Sequence, residues 1–596
     1  MATTPSFTTR PEIAATFGAV ATTHWIASQT GMAVLERGGN AADAAVAAAF
    51  VLHLAEPHLN GPGGDAPIIL HDAKAGTQHV ICGQGVAPDA ATPEVFASLG
   101  LDLVPGTGLL PAVVPGAFDA WMVLLRDWGT MEVADVLSYA IYYARRGIHL
   151  VARIPAAIES VRPLFEEYWP TSAAVFLPHG EVPAVGSLFA RPALADCWER
   201  LLKECNGPTR EARIDAARRC FYQGFVAEAA GRFYAANELL DCSGERHRGL
   251  LTADDMARWQ ATVEDPVAFD YAGHTLLKCG PWSQGPTFLQ LLALLRGTDI
   301  ATMDPLGADF IHTVVEGLKL VFADREAFYG DPDFVKVPLN TLLSEEYNAE
   351  RRKLIGEHAS HAMRPGSIEG FSNDLAHLAR IRPPAVMAAG TGEPTVARLG
   401  TVGGDTCHID VIDRDGNMVS ATPSGGWLHS SPVVPELGFP LSTRGQIFWA
   451  AAGLPNSIAP RKRPRTTLSP SMALRDGRAW MSFGTPGGDQ QDQWQPIFFL
   501  RMLHHRMNIQ ESIDAPSFHT EHWNNSFWPR LAKPGKVVIE GRYKPEVLAS
   551  LKARGHDAEM GGDWSEGRLS AARLEDDGQI LAGANPRGNQ GYAVGR

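Results

Sequence analysis

The run Gly403-Gly404-Asp405-Thr406-Cys407-His408, continuing as IDVIDRDGNMVS to Ser420, carries the residue types best suited to covalent chemistry in this 596-residue chain. A threonine inside a polypeptide is a weak nucleophile, because nothing beside it takes its proton. Freed at an N-terminus, it lies next to its own α-amine, whose ordinary pKa is about 7.7–8.0. One residue then supplies both nucleophile and base. To reach that state, Thr406 must attack the carbonyl of Asp405, and the resulting ester must hydrolyse to leave two chains. Gly403 and Gly404 would let the backbone take up the strained conformation this attack needs. Read locally, the same residues also describe a threonine that only opens a strand after a Gly-Gly-Asp turn.

Competing signatures fail. The chain has no GxxxxGK[ST] phosphate loop and no HExxH zinc helix. GPGGDA at 61–66 loosely fits a dinucleotide fingerprint, but Pro67 and a strand follow where a helix N-terminus is required. PWSQG at 281–285 lacks the first glycine of a nucleophile elbow, which argues against Ser283 as a hydrolase serine. His504-His505, His519 and His522 show no metal-ligand spacing, so neither a metal nor a cofactor is expected. A formal net charge of -14 argues against a nucleic-acid partner.

The first twenty residues lack a basic start leading into an apolar run, so a secretory leader is not expected. AADAAVAAAFVLHLA at 41–55 is too short and polar to cross a bilayer. Seven cysteines, odd in number and without C-x-x-C spacing, suit a reducing compartment. The expected location is therefore cytoplasmic.

Positioning elements follow from periodicity. Residues 28–55 read as two helical pieces broken at Gly38-Gly39, with Asn40 capping a second piece that is apolar all round and so buried. A glycine-rich turn then feeds the strand PIILHD; helices are expected near 116–127 and 133–146, and HTLLKCG reads as a strand. Residues 356–402, rich in Gly, Ala and Pro, lack strong periodicity, which predicts a mobile or functional stretch. After it, two strands meet at Asp415-Gly416, and LSAARLEDDGQILAGA forms a closing hairpin. Helices and mainly antiparallel strands in quantity, without an internal repeat, give an α+β sandwich.

Seven segments in order resemble the gamma-glutamyltranspeptidase family of N-terminal nucleophile hydrolases: 27–65, 114–131, 249–287, YGDPDFVKVP at 329–338, TCHIDVIDRDGNMVSATPS from 406, RPRTTLSPSM at 463–472 and FGTPGGDQQ at 483–491. The resemblance implies a four-layer αββα sandwich made from a large segment, 1–405, and a small one, 406–596. The two would persist as a heterodimer, or as a pair of such heterodimers, acting on a small-molecule amide. It makes Thr406 nucleophile and base, and Ser424 a second hydroxyl hydrogen-bonded to it. The N–H groups of Gly487 and Gly488 become the oxyanion hole, where one donor contributes about 3 kcal/mol.

The chain departs from the family at the amino-acid clamp. Pro93 stands where the gamma-glutamyl-specific members carry an arginine, Gly426 where they carry an asparagine, and Gln446 where they carry an aspartate. Thr466 and Thr467 keep the hydroxyls of the family's serine pair. Each lost charge-assisted hydrogen bond is worth about 1.5–3 kcal/mol. The resemblance therefore points to a branch acting on another amide, such as oxamate or a cephalosporin side chain. Arg444 is placed either to hold a substrate carboxylate or to form a structural ion pair. The alternatives are a true gamma-glutamyl hydrolase or transferase with a rebuilt clamp, and an unprocessed relative that only binds.

Overall fold

The computed structural model describes residues 7–381 and 406–596 except 589, so Asp405, Gly403-Gly404 and the stretch 382–402 lie outside the described residues. Helix Trp25–Glu36 ends before Gly38, whose φ of 94° suits glycine alone. Asn40 and Asp43 then form a capping box on helix Ala41–Ala55, every residue of which is buried. The buried Asp43 carboxylate is satisfied by the Asn40, Thr130 and Met131 N–H groups and the Thr130 hydroxyl. Alanines along this helix allow close approach to its neighbours on all sides.

Two seven-stranded antiparallel sheets form the centre. The first runs Tyr592–Gly595, Gly18–Thr22, Ile409–Asp413, Met418–Ala421, Ile68–Asp72, Thr77–Cys82, Thr262–Glu264. The second runs Ile13–Ala15, Ile580–Ala584, Ser570–Leu574, Arg478–Gly484, Ser471–Arg475, His274–Lys278, Val267–Tyr271. Successive residues of a strand point to opposite faces, and this alternation sorts the apolar side chains into layers. Ile68, Leu70 and Ile81 face helix Ala41–Ala55 and its neighbours, whereas Ile69, Val80 and Cys82 meet Leu277, Met472 and Ala572 of the second sheet. On that sheet's outer face, Leu276, Ala473, Met481 and Phe483 pack on helices Pro286–Leu295, Ala308–Phe328 and Gln491–His505. The order is helix, sheet, sheet, helix: the αββα sandwich of the N-terminal nucleophile hydrolases.

Strands from both sides of the 382–405 gap interleave in each sheet. Ile409–Asp413 pairs with Gly18–Thr22, Met418–Ala421 with Ile68–Asp72, and Ser471–Arg475 with His274–Lys278. The hairpin at Asp415-Gly416 forms with Gly416 at φ 85°. The hairpin Ser570–Leu574/Ile580–Ala584 also forms, but it does not close the chain. Strand Tyr592–Gly595 follows it and crosses to the edge of the other sheet.

Between 356 and 381 the only regular element is the short 3-10 turn Ala376–Arg380, yet the first part of this stretch is docked by side chains. Lys319 Nζ donates to Ser360 O at 2.9 Å, and Gly366 N donates to Asp324 Oδ1 at 2.7 Å. Beside it His312, Glu316 and His556 converge without any shared sequence spacing. Both Glu316 oxygens are already taken by Lys319, Arg364 and the Ser360 N–H, and the two histidine rings hydrogen-bond each other at 2.8 Å. Those cations disfavour a further positive ion there.

Candidate active site

Thr406 lies three residues upstream of strand Ile409–Asp413 and forms an isolated antiparallel bridge with Ser424. Both are buried, and Thr406 Oγ1 donates to Ser424 Oγ at 3.3 Å. Alternation turns Cys407 the other way. Its Sγ donates to Glu56 Oε2 at 3.0 Å and accepts from Asn60 Nδ2 at 3.1 Å. Burial, reinforced by the Glu56 carboxylate, pushes this thiol well above its ordinary pKa, so it stays protonated and does not rival the threonine hydroxyl.

Ser424 is seated by glycines. Its N–H donates to Asp65 O at 2.9 Å, and Asp65 N donates back to Ser424 O at 2.7 Å. Gly425 and Gly426 follow at φ 77° and 62°, left-handed values that glycine alone adopts freely. Opposite them lies GPGGD, the run that fails as a dinucleotide loop. A Cβ on Gly64 would come 2.2 Å from Ser424 O, and one on Gly61 would come 2.3 Å from Gly426 O. This segment is a backbone-to-backbone plate beneath the turn.

The plate ends on Asp65, which sequence reasoning passed over. Its carboxylate accepts from Arg444 Nε at 3.2 Å, Ser442 Oγ at 2.8 Å and Gln84 Nε2 at 3.2 Å. Burial raises the Asp65 pKa even though Arg444 pulls it down. Arg444 therefore forms a fully buried ion pair, with its guanidinium 5.4 Å from the Trp427 ring centroid and 5.8 Å from that of Phe527. The only local signal for Asp65 was an acid directly after a glycine run.

Strand Arg478–Gly484 of the second sheet leads into Thr485-Pro486-Gly487-Gly488. Gly487 has φ 110°, and a Cβ on Gly488 would meet Phe527 Cε2 at 2.7 Å. The His408 ring lies where Gly484 would carry its Cβ, 2.2 Å from Cε1. That ring is fixed by Thr422 Oγ1 at 3.0 Å and Asp410 Oδ1 at 3.1 Å. The residue two beyond Thr406 thus wedges the Thr406 segment against the strand that carries the glycine loop. Gly484→Ala is expected to destabilise the protein by about 1–3 kcal/mol through overpacking, read as a lowered denaturation midpoint, and to slow appearance of the processed chains.

The remaining predicted residues are placed as follows. Thr466 N donates to Trp282 O and its carbonyl accepts from Gln284 N, both at 2.9 Å; Thr467 beside it is buried. Gln446 Nε2 donates to Gly106 O at 3.1 Å and to Thr443 Oγ1 at 3.4 Å, and its Oε1 accepts from Trp528 N at 3.2 Å. Pro93 starts helix Pro93–Ser98, whose Phe96 packs on Val104, Leu110 and Phe448. Thr406, Ser424 and Arg444 are joined through Asp65, and Phe527 links Gly488 to Arg444. Pro93 joins none of these contacts.

Behind the glycine loop lies a buried charge cluster. Arg465 Nη2 donates to Glu326 Oε2 at 2.7 Å, Trp449 Nε1 donates to Glu326 Oε1 at 2.7 Å, and Arg530 Cζ sits 3.4 Å from the Trp449 ring centroid. Burial works to raise the Glu326 pKa, but Arg465, Arg325 and Arg530 outweigh it and hold the carboxyl at about 2. A folded pKa below the ordinary value of 4.5 gives stability present above 4.5 and lost as pH falls toward 2. The thermal midpoint is thus expected to drop across that window, and to drop less steeply in Glu326→Gln, which starts lower at pH 7.

The family model described as Gamma-glutamyltranspeptidase matches residues 27–595. The chain belongs to the gamma-glutamyltranspeptidase family. It is 30% identical over 580 residues to the "Glutathione hydrolase-like YwrD proenzyme" of Bacillus subtilis (strain 168), covering 97% of this chain and 98% of that one. It is also 30% identical over 597 residues to the "Oxamate amidohydrolase proenzyme" of Klebsiella pneumoniae subsp. pneumoniae, covering 97% and 98%. Among solved structures, a threonine-to-alanine variant of LmbA2991 is 55% identical, with a TM-score of 0.94 over 99% of this chain and 100% of that one. The relatives of this family member are hydrolases and acyl-group enzymes, and the chain is an enzyme of that kind. Among the described residues, no helix is long and apolar enough to cross a membrane.

Proposed function

We propose that the chain is a proenzyme that cleaves itself between Asp405 and Thr406 and then hydrolyses, or transfers the acyl group of, a small amide through an acyl-enzyme on Thr406. The carrying observation is the Thr406 hydroxyl directed at Ser424 Oγ, 3.3 Å away, in a buried bridge. In this reading the α-amine of Thr406 takes the hydroxyl proton as Oγ1 attacks the substrate carbonyl. The N–H groups of Gly487 and Gly488 stabilise the oxyanion, and the returning proton leaves with the amine. Water, or an acceptor amine, then resolves the ester on Thr406. Ser424 orients the nucleophile, and Thr466 and Thr467 line the acyl side. Because strands of the two segments pair with each other in both sheets, the two products remain one heterodimer after cleavage. The seven cysteines, all free, suit a cytoplasmic location.

The substrate is proposed to be a non-classical amide such as oxamate. Gln446 occupies the position of the family's ammonium-binding aspartate, but its amide is engaged with Gly106, Thr443 and Trp528. In this reading the Arg444 guanidinium, buried between Trp427 and Phe527 and paired through Nε with Asp65, also meets the carboxylate of a small substrate. The second reading, a gamma-glutamyl hydrolase, is favoured by the name of the Bacillus subtilis relative. Assaying oxamate beside gamma-glutamyl-p-nitroanilide separates them; efficient turnover of the anilide overturns the oxamate reading. N-terminal sequencing of the smaller chain is expected to read Thr-Cys-His.

A further inference from the structure

Two adjacent glycines make a poor oxyanion hole unless something stops their peptide planes from turning. Gly487 sits at φ 110° and neither glycine has a side chain to anchor it, so the orientation of these N–H groups must be set from outside. The carbonyl of Gly488 is gripped by two donors, Gln491 N at 3.1 Å and Gln284 Nε2 at 3.3 Å. Gln284 works as a grip only if its amide points the right way round; turned by 180° it would present oxygen to oxygen. Its direction is set by Arg325, whose Nη1 donates to Gln284 Oε1 at 2.8 Å. The same Nη1 donates to Asp489 Oδ1 at 2.6 Å, and Asp489 directly follows the two glycines. Asp489 is further held by the Ser526 hydroxyl at 2.6 Å and the Ser526 N–H at 2.8 Å. Arg325, Gln284 and Ser526 are fully buried and Asp489 nearly so, a setting in which such bonds are directional and costly to break.

We infer that Arg325 and Gln284, both from the large segment, are positioning residues that pin the Gly488–Asp489 peptide of the small segment and so hold the preceding Gly487 and Gly488 N–H groups in their oxyanion-binding orientation. Arg325 reads the loop from both sides: through Gln284 it fixes a carbonyl, and through Asp489 it fixes the chain leaving the glycines. The cleaved small segment cannot by itself supply this lock, which makes the oxyanion site a property of the assembled pair. The inference rests on the reading of Thr406 as the acylated residue and extends it to groups that never touch the substrate.

The test uses the full-length protein, p-nitrophenyl acetate as a generic acyl donor, and intact mass of the small chain. Gln284→Glu is the informative variant. It keeps shape and the bond to Arg325 but removes the donor to Gly488 O. Both Gln284→Glu and Arg325→Gln are expected to lower kcat for p-nitrophenolate release at least 10-fold, with KM within about 2-fold of wild type. A residue that only supports folding would move neither parameter in correctly folded, processed protein. Should these variants fail to fold, Ser526→Ala removes one donor to Asp489 and is expected to lower kcat about 3- to 10-fold. Wild type acetylated on Thr406 with kcat unchanged in the folded variants overturns the inference alone. Wild type that is not acetylated on Thr406 overturns the reading of the nucleophile on which it rests.

Discussion

The Thr406→Ala protein is expected to run as one full-length chain on denaturing electrophoresis and to release no product from any amide the wild type hydrolyses. In the proposed mechanism two steps fail together, because the same hydroxyl attacks the Asp405 carbonyl during maturation and the substrate carbonyl afterwards. Deleting a nucleophile from a concerted catalytic group typically costs roughly a millionfold in kcat, so residual turnover should lie below detection. Thr406→Ser keeps a hydroxyl and an α-amine and is expected to process and turn over, more slowly. Cys407→Ala is the control. Its thiol is raised well above the ordinary pKa and is bonded to Glu56, so its loss should leave acylation on Thr406. A Thr406→Ala preparation that still yields two chains, the smaller beginning at residue 406, would overturn the mechanism.

Asp65→Ala is expected to have the second-largest effect, on stability and activity together. Asp65 and Arg444 are both fully buried, and removing Asp65 takes a buried counter-charge from the guanidinium that lies among Trp427, Phe527 and the glycine plate. Breaking such a pair typically costs about 3–5 kcal/mol, which a urea-denaturation midpoint will register. The Asp65 carboxylate also gathers Ser442 and Gln84, so its loss loosens the turn that carries Ser424. The double variant Asp65→Leu with Arg444→Leu separates structure from function. Replacing both charges by apolar side chains should recover much of the lost stability. If oxamate is the substrate as proposed, its hydrolysis should stay lost, because the guanidinium assigned to its carboxylate is gone. Recovery of activity in the double variant would show that Arg444 serves the fold and not the substrate.

Much of this architecture could be read locally. The capped, alanine-rich helix at 41–55, the hairpin turning at Asp415-Gly416 and the strands around 68 and 274 declare themselves through caps, turn residues and period. Short-range rules suffice there, because backbone geometry a few residues apart decides the outcome. Seven ordered motifs pointed to the family in the same way. The closing strand Tyr592–Gly595 was missed because four half-exposed residues at a sheet edge carry little apolar signal.

By itself, then, the amino-acid sequence determined the elements, the family, and which threonine and glycines to examine. Only the tertiary structure decided the partners of the buried charges. Asp65 meets Arg444 across 379 residues of chain, and Arg325 meets Asp489 across 164. The reason is physical. A buried charge is tolerated wherever folding delivers a counter-charge, and that delivery depends on how fourteen strands interleave, not on anything near either residue in the chain. For the same reason nothing near Arg444 in the chain showed that Asp65 would be set against it.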